Sequence, residues 1–358
     1  MTVFRIATAL VVAVCAGSSA VSSSAQGTRD WSTYGLLDVR NPESPVVLIE
    51  YKHHRIRGDA VTIQTRLLLR TGSHWLDATP RGMKWGIDDA YFVDRTHGWV
   101  VTSDCAAGRG AMYRTRNAGV TWKRLSWDFT HNCAAGSGFR LMFLDRRYGW
   151  VAAPTPNGNN WALFSTRNGG RSWSYRVRYK APMLDEVTFT APRMGFGVGL
   201  AWLFPGPLFR TANAGRTWTG DPDLPELRYS MPVFFGENGI LMGTGKRYRV
   251  AVFFGTRDAG AHWHVTGRLD VRGLQFPDFR ASTATTWWVY GVRGSTPVAL
   301  VTTDGGHTWT KSTVPGRGYY VELAATRTRS WLATSPLQGA GAVYSSGDLG
   351  RTWSRVSP

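Results

Sequence analysis

The feature that most constrains this chain is a tryptophan that recurs at the end of a short polar frame. RTGSHW ends at Trp75, TRNAGVTW at Trp122, TRNGGRSW at Trp173 and TANAGRTW at Trp218; TRDAGAHW, TTDGGHTW and SGDLGRTW then end at Trp263, Trp309 and Trp353. The intervals are 47, 51, 45, 45, 46 and 44 residues. A period near 45 means stacked supersecondary units, each unable to bury its apolar face alone, and propeller blades are among the few units of that length.

Each full repeat carries the same other parts. An alternating apolar segment leads through a short turn into an aromatic and β-branched one, as in FRLMFLDRRYGWVAA or MPVFFGENGILMG. A third segment such as WALFST or VFFGT precedes the polar frame, and a fourth begins at the Trp. Alternation with this composition reads as strand. The expected fold is therefore all-β: a seven-bladed β-propeller with four antiparallel strands per blade, occupying residues 45–358.

The polar frame falls between third and fourth strands, where the chain must reverse. Asn117, Asn168 and Asn213 alternate there with Asp258, Asp304 and Asp348. A catalytic acid does not survive exchange for Asn in half its copies. A turn residue does, because either side chain accepts hydrogen bonds from its own backbone while Gly supplies positive φ. The paired tryptophans, Trp122, Trp173, Trp218, Trp263, Trp309 and Trp353, are expected to insert between sheets. Each then gains a gross ~4 to 6 kcal/mol before ordering costs.

The frame resembles the Asp-box, or bacterial neuraminidase repeat. The longer pattern, an apolar strand with Phe, then GW or GF, then RT or ST, then D/N-x-G-x-T/S-W, is most similar to the propellers of the photosystem II stability and assembly factor family. The likeness covers about residues 86–358; blade one, 45–80, lacks the Asp/Asn and three residues of the turn. It implies an exported seven-bladed protein that binds or assembles others without catalysis. Sialidases and xyloglucanases share the frame, so it specifies fold more than function.

Residues 1–25 carry one charge, Arg5, an apolar run from Ala7 to Ala16 and small residues before a cut after Ala20 or Ala25, the pattern of a secretory signal. The expected location is extracytoplasmic, secreted or in the cell envelope, with no membrane span after the signal. Residues 26–44 are expected to form an N-terminal arm or an extra outer strand. Beyond Cys15, only Cys105 and Cys133 remain. In an oxidising compartment they are expected to form one disulfide on the loop face, adding about 3 to 4 kcal/mol.

With 42 Lys and Arg against 24 Asp and Glu, the net charge is +18. That favours anionic partners in general: acidic polysaccharide, phospholipid headgroups or nucleic acid. For an exported chain the expected partner is a protein or an anionic envelope polymer or glycan, with peripheral contact to an anionic membrane surface, and not nucleic acid. No cofactor motif is present, and His262 with His264 makes too small a set for a metal.

Polar residues at the starts of first strands crowd the loop face: Asp88, Asp89, Arg140, Asp185, Glu186, Arg228, Tyr229, Gln275, Asp278, Tyr320 and Glu322. Arg140, Arg228 and Tyr229 are the expected binding residues. The resemblance to sialidases would make Tyr320 a nucleophile activated by Glu322, whereas a xyloglucanase-like site would recruit two carboxyl groups from Asp185, Glu186 or Asp278. The FRIP-type string such enzymes carry is missing from the mature chain. The expectation is thus a non-enzymatic binding or assembly module, with a carbohydrate-active hydrolase of sialidase-like architecture as the alternative.

Overall fold

The computed structural model describes residues 30–39, 44–55, 61–104, 109–126, 139–154, 161–177, 184–199, 206–337 and 339–358. They form seven antiparallel sheets in chain order, at residues 30–77, 86–125, 140–177, 184–220, 228–270, 275–313 and 320–356, here blades one to seven. Each has four strands in simple up-and-down order, and no helix occurs among the described residues. In blade five the first strand is interrupted: Arg228–Tyr229 and Val233–Phe235 both pair with Asn238–Thr244. Pro232 has no N–H to donate at the break, and Ser230 Oγ accepts the Met242 amide there instead (3.1 Å).

First strands of neighbouring blades touch one another, so they line the axis; the contacts run from blade one to two to three to four, and from six to seven to one. The strand Asp30–Asp38 is one of these first strands. This corrects the expectation of an arm or an outer strand before residue 45. The segment pairs with Val46–Arg55 and also faces blade seven, where Gly341 N donates to Ser32 O (2.8 Å) and Ser335 Oγ donates to Tyr34 O (3.0 Å). The two ends of the chain thus meet across one seam.

The core lies between blades. Separate apolar clusters fill the seams of blades one and two, two to four, four and five, five and six, six and seven, and seven and one. A repeated aromatic arrangement explains the GW and GF pairs of the sequence. A Phe at or next to the end of a first strand stacks on the aromatic of the preceding blade's second strand: Phe143 on Trp99 at 3.7 Å, Phe189 on Trp150 at 3.6 Å, Phe234 on Phe196 at 5.3 Å. The same Phe meets its own blade's frame Trp edge-on, as Phe143 does Trp173 (6.1 Å, 74°) and Phe189 does Trp218 (6.0 Å, 74°). Trp263 and Trp353 are buried and the other frame tryptophans half-buried.

Glycine at the start of the second strand makes room for that Phe. A methyl group on Gly149 would lie 2.4 Å from the Phe143 ring, and one on Gly98 2.5 Å from Phe92. Gly149→Ala is therefore expected to cost about 1 to 3 kcal/mol, read as a lower urea midpoint at unchanged slope. An unchanged midpoint would show that the ring can move aside freely.

The polar frames form one hydrogen-bonded turn. Thr115 Oγ1 donates to Asn117 Oδ1 (3.0 Å) and accepts from Gly119 N (2.9 Å), while Asn117 Oδ1 also accepts from Thr121 N (2.9 Å). Asn117 Nδ2 then donates to Thr121 Oγ1 (2.9 Å), whereas in blade six Thr308 Oγ1 donates to Asp304 Oδ2 (2.5 Å). A hydroxyl can take either role, which is why Asn and Asp alternate freely here. These bonds hold the Asp258, Asp304 and Asp348 carboxyls far below the usual range. The frame Gly has positive φ, +85° at Gly260, and a side chain there would meet Phe196 of the preceding blade. Blade one replaces this turn by a two-residue reversal at Gly72 and Ser73.

Candidate functional site

The starts of the first strands and the loops between second and third strands share one face of the ring. Three first strands are bulged there. Register shifts fall between Ile87 and Asp89, between Leu184 and Glu186, and between Gln275 and Asp278. Each bulge adds one residue: Asp88 in the first, Asp185 in the second, and in the third Phe276 and Pro277 together stand opposite Gly291 alone. A bulge turns its side chains out of the alternation, so Asp88 and Phe276 leave the sheet pattern at the channel mouth.

The carboxylates after two of the bulges tie the ring together. Asp89 Oδ1 accepts Ala90 N (2.8 Å) and its Oδ2 accepts Leu141 N of the next blade (2.7 Å). Asp278 Oδ1 accepts Phe279 N (2.7 Å), and its Oδ2 accepts the hydroxyl of Tyr290 (2.7 Å) and Arg280 Nη1 (3.3 Å). Arg280 Nη2 in turn lies 3.9 Å from Glu322 Oε2 in blade seven. Burial, with Asp278 and Glu322 nearby, drives the Tyr290 hydroxyl well above its ordinary pKa. The Tyr51 hydroxyl is likewise raised by burial, then lowered by Arg140 and raised by Asp88, Asp89 and Glu322. Groups from blades one, two, three and seven therefore share one electrostatic neighbourhood.

Asp88 differs from its neighbours. It is buried, its Oδ2 has no hydrogen-bond partner among the described residues, and desolvation pushes its pKa up to about 7 despite Ser103 and Arg140. The unfolded carboxyl titrates near 4, so between pH 4 and 7 the folded chain holds a proton that the unfolded chain has lost. Stability contributed by this group therefore falls as pH rises through that window, by at most about 1.4 kcal/mol per pH unit, and levels off above 7. Urea unfolding of Asp88→Asn is expected to show a shallower decline from pH 5 to 7.5 than the parent. Parallel curves would mean that Asp88 is ionised throughout.

Other expected site residues fall elsewhere. Tyr229 is a core residue, 6% exposed, whose hydroxyl donates to Pro225 O, so it is removed from the binding set. Arg228 is half-buried, donates to Lys246 O (2.9 Å) and lies 4.8 Å from the centre of the Tyr248 ring. Arg140 is half-buried and donates to Phe139 O (3.4 Å), while Glu186 is exposed. Tyr320 is stacked on Phe276 (6.0 Å, 16°). The side chain of Asp185, and Cys105 and Cys133 entirely, lie outside the described residues. The sequence reading missed Tyr51, Tyr290 and Arg280. Tyr290 was within reach of it, since it sits directly opposite Asp278 in the hairpin register. No group of three or more His, Cys, Asp or Glu side chains suited to a metal occurs among the described residues.

No protein-family model matches the sequence, and no curated protein does. Among solved structures, YCF48 bound to D1 peptide is similar at 20% identity and a TM-score of 0.52, over 76% of this chain and 81% of that one. A prolyl endopeptidase structure is similar at 9% identity and a TM-score of 0.56, over 91% of this chain and 50% of that one. A GH74 enzyme from Niastella koreensis follows at 12% identity and a TM-score of 0.40, covering 87% and 60%. The chain spans half to three-fifths of the length of the last two. At these identities the likeness establishes the propeller fold alone.

Proposed function

We propose that this is an exported, non-enzymatic binding or assembly module of Asp-box type, which meets a protein or an acidic envelope polymer through the face bearing the first-strand starts. The observation that carries the reading is the use to which the candidate catalytic groups are put. Asp278 is engaged by a backbone amide and by Tyr290, Glu322 faces Arg280, and Tyr320 is packed on Phe276; the neighbouring Asp89 is likewise held by two backbone amides. Groups engaged in this way join blades and set their side chains; catalysis asks them to exchange protons with a substrate instead. The similarity to a propeller bound to a peptide supports a protein partner. A signal at residues 1–25 and a Cys105–Cys133 disulfide belong to the same proposal.

A second reading, a glycoside hydrolase, is favoured by one observation. Asp88 has a pKa near 7 and a buried oxygen without a partner, which are properties of a general acid. Fluorogenic sialosides and a panel of β-glucans separate the two readings when assayed with the parent protein and with Tyr320→Phe, Glu322→Gln and Asp88→Asn beside it. No turnover above the buffer blank is expected from any of the four proteins. Turnover in the parent that any one substitution abolishes would replace the binding reading with the hydrolase.

A further inference from the structure

Six residues other than glycine have positive φ among the described residues: Ala118, Ala214, Tyr248, Ala259, Phe276 and Leu349. Four of them occupy the same place, just before the glycine of a polar-frame turn. The other two, Tyr248 (φ 46°) and Phe276 (φ 50°), belong to no repeat and touch each other, with ring centroids 6.3 Å apart. Bulky side chains resist this conformation, and Phe276 also precedes Pro277, which favours extended backbone before it. Phe276 is moreover 38% exposed. The free protein gains little by holding a phenyl ring in water on a strained backbone, and strain of this kind collects at binding sites.

What the strain achieves is a cluster of rings. Tyr248 comes from the loop between the second and third strands of blade five, Phe276 from the bulge of blade six, and Tyr319 and Tyr320 from the start of blade seven. Phe276 lies 6.2 Å from Tyr319 and 6.0 Å from Tyr320, and Tyr319 meets Tyr320 at 5.5 Å. Gly291, opposite the bulge, allows it, since a methyl there would lie 2.7 Å from Gln275 O. The rim is basic. Lys246, Arg247, Arg249 and Arg317 are all exposed, and none pairs with a carboxylate among the described residues.

We infer that this cluster is the docking platform for an acidic, extended segment of a partner protein that carries aromatic or proline side chains; this rests on the binding-module reading above and names its contact surface. Ring geometry selects peptide over sugar. Tyr248 stands at 63° and Tyr319 at 55° to Phe276, with only Tyr320 near parallel to it at 16°, so the four rings do not make one flat shelf but an angled notch. A planar side chain enters such a notch edge to face, whereas a pyranose stacks on a flat one. The basic rim then takes the carboxylates that flank the inserted ring, adding orientation and faster encounter.

The test uses a fluorescein-labelled dodecapeptide of three Asp-Pro-Trp-Glu repeats, followed by anisotropy against the purified protein. Saturable binding is expected, weakened at least tenfold by Tyr248→Gly, by Phe276→Gly and by Ser in place of every Pro and Trp of the peptide. The two glycine variants are expected to keep thermal midpoints equal to or above the parent, because glycine adopts positive φ freely. Tyr319→Ser, at an ordinary backbone position, provides the same binding test should a glycine variant fold poorly. Equal affinity in all three variants would move the contact off the platform and leave the loop-face reading intact. Polygalacturonate binding that depends on Phe276, with no peptide binding, would overturn the peptide assignment in favour of a glycan. Turnover in the glycosidase assay is the separate outcome that removes the reading beneath it.

Discussion

Trp150→Ala is expected to lower stability by about 3 to 5 kcal/mol, enough to unfold a sizeable fraction of a marginally stable protein. Trp150 is 1% exposed and lies parallel to Phe189 of the next blade, 3.6 Å away. Phe189 is held edge-on by Trp218, so removing the indole unpacks two blades at one seam. Trp150→Phe is expected to cost less than about 1.5 kcal/mol, for two reasons drawn from the repeat itself. Blade four already carries Phe196 at the equivalent position, stacked on Phe234. The indole N–H of Trp150 has no hydrogen-bond partner among the described residues, whereas Trp99 Nε1 donates to Gly169 O and Trp288 Nε1 to Leu349 O. Phenylalanine therefore loses area without abandoning a bond. Chemical denaturation of both variants provides the check, and equal losses would locate the stabilisation in the indole edge rather than in ring stacking.

The contrast between what the sequence discloses and what it conceals follows the repeat. Strand order, blade number and the turn role of Asn117 or Asp304 are legible because the same local chemistry is imposed at every copy. Copies differing only between Asn and Asp show which property matters. The start of blade one is concealed because the blade keeps only Trp75 of those marks. Its first strand, DWSTYGLLD, lacks the terminal Phe of blades two to four, and its third and fourth strands turn over in two residues, so the pattern offers no full frame from which to count back to residue 30. The site is concealed for another reason. Bulges and positive φ values decide where Asp88 and Phe276 point, and alternation along a strand predicts neither. The sequence puts Tyr229 at the mouth because it stands near the start of a first strand, a position that does not tell which face a side chain takes; in the structure it is buried, beside the half-buried Arg228.

A chain beginning after Asp38 is expected to lose cooperative folding altogether. Removing the strand Asp30–Asp38 strips Val46–Arg55 of its pairing partner along one edge and opens the seam to blade seven. It also leaves Glu50, 6% exposed, without the bond it accepts from Ser32 Oγ (2.7 Å), although Arg66 still faces it (2.6 Å). His53 loses its stack on Trp31 and its bond to Thr33. The apolar side chains of the closing seam, Val46, Leu48, Leu68, Trp331 and Val343 among them, lose the cover of Tyr34. An open ring presents an unpaired strand edge beside that apolar surface, and both favour association between copies. Calorimetry and size-exclusion chromatography of the shortened chain are expected to show no sharp transition and a shift to larger species. Were residues 30–38 a dispensable arm, one of the two forms the sequence leaves open beside an extra outer strand, the shortened chain would instead elute as the parent does and melt within a few degrees of it. Among the described residues every sheet is built from one continuous stretch of chain, so no strand pairing ties blade seven to blade one; that seam is held by side-chain packing and by the bonds that Asp30–Asp38 makes to blade seven, and removing those nine residues weakens both.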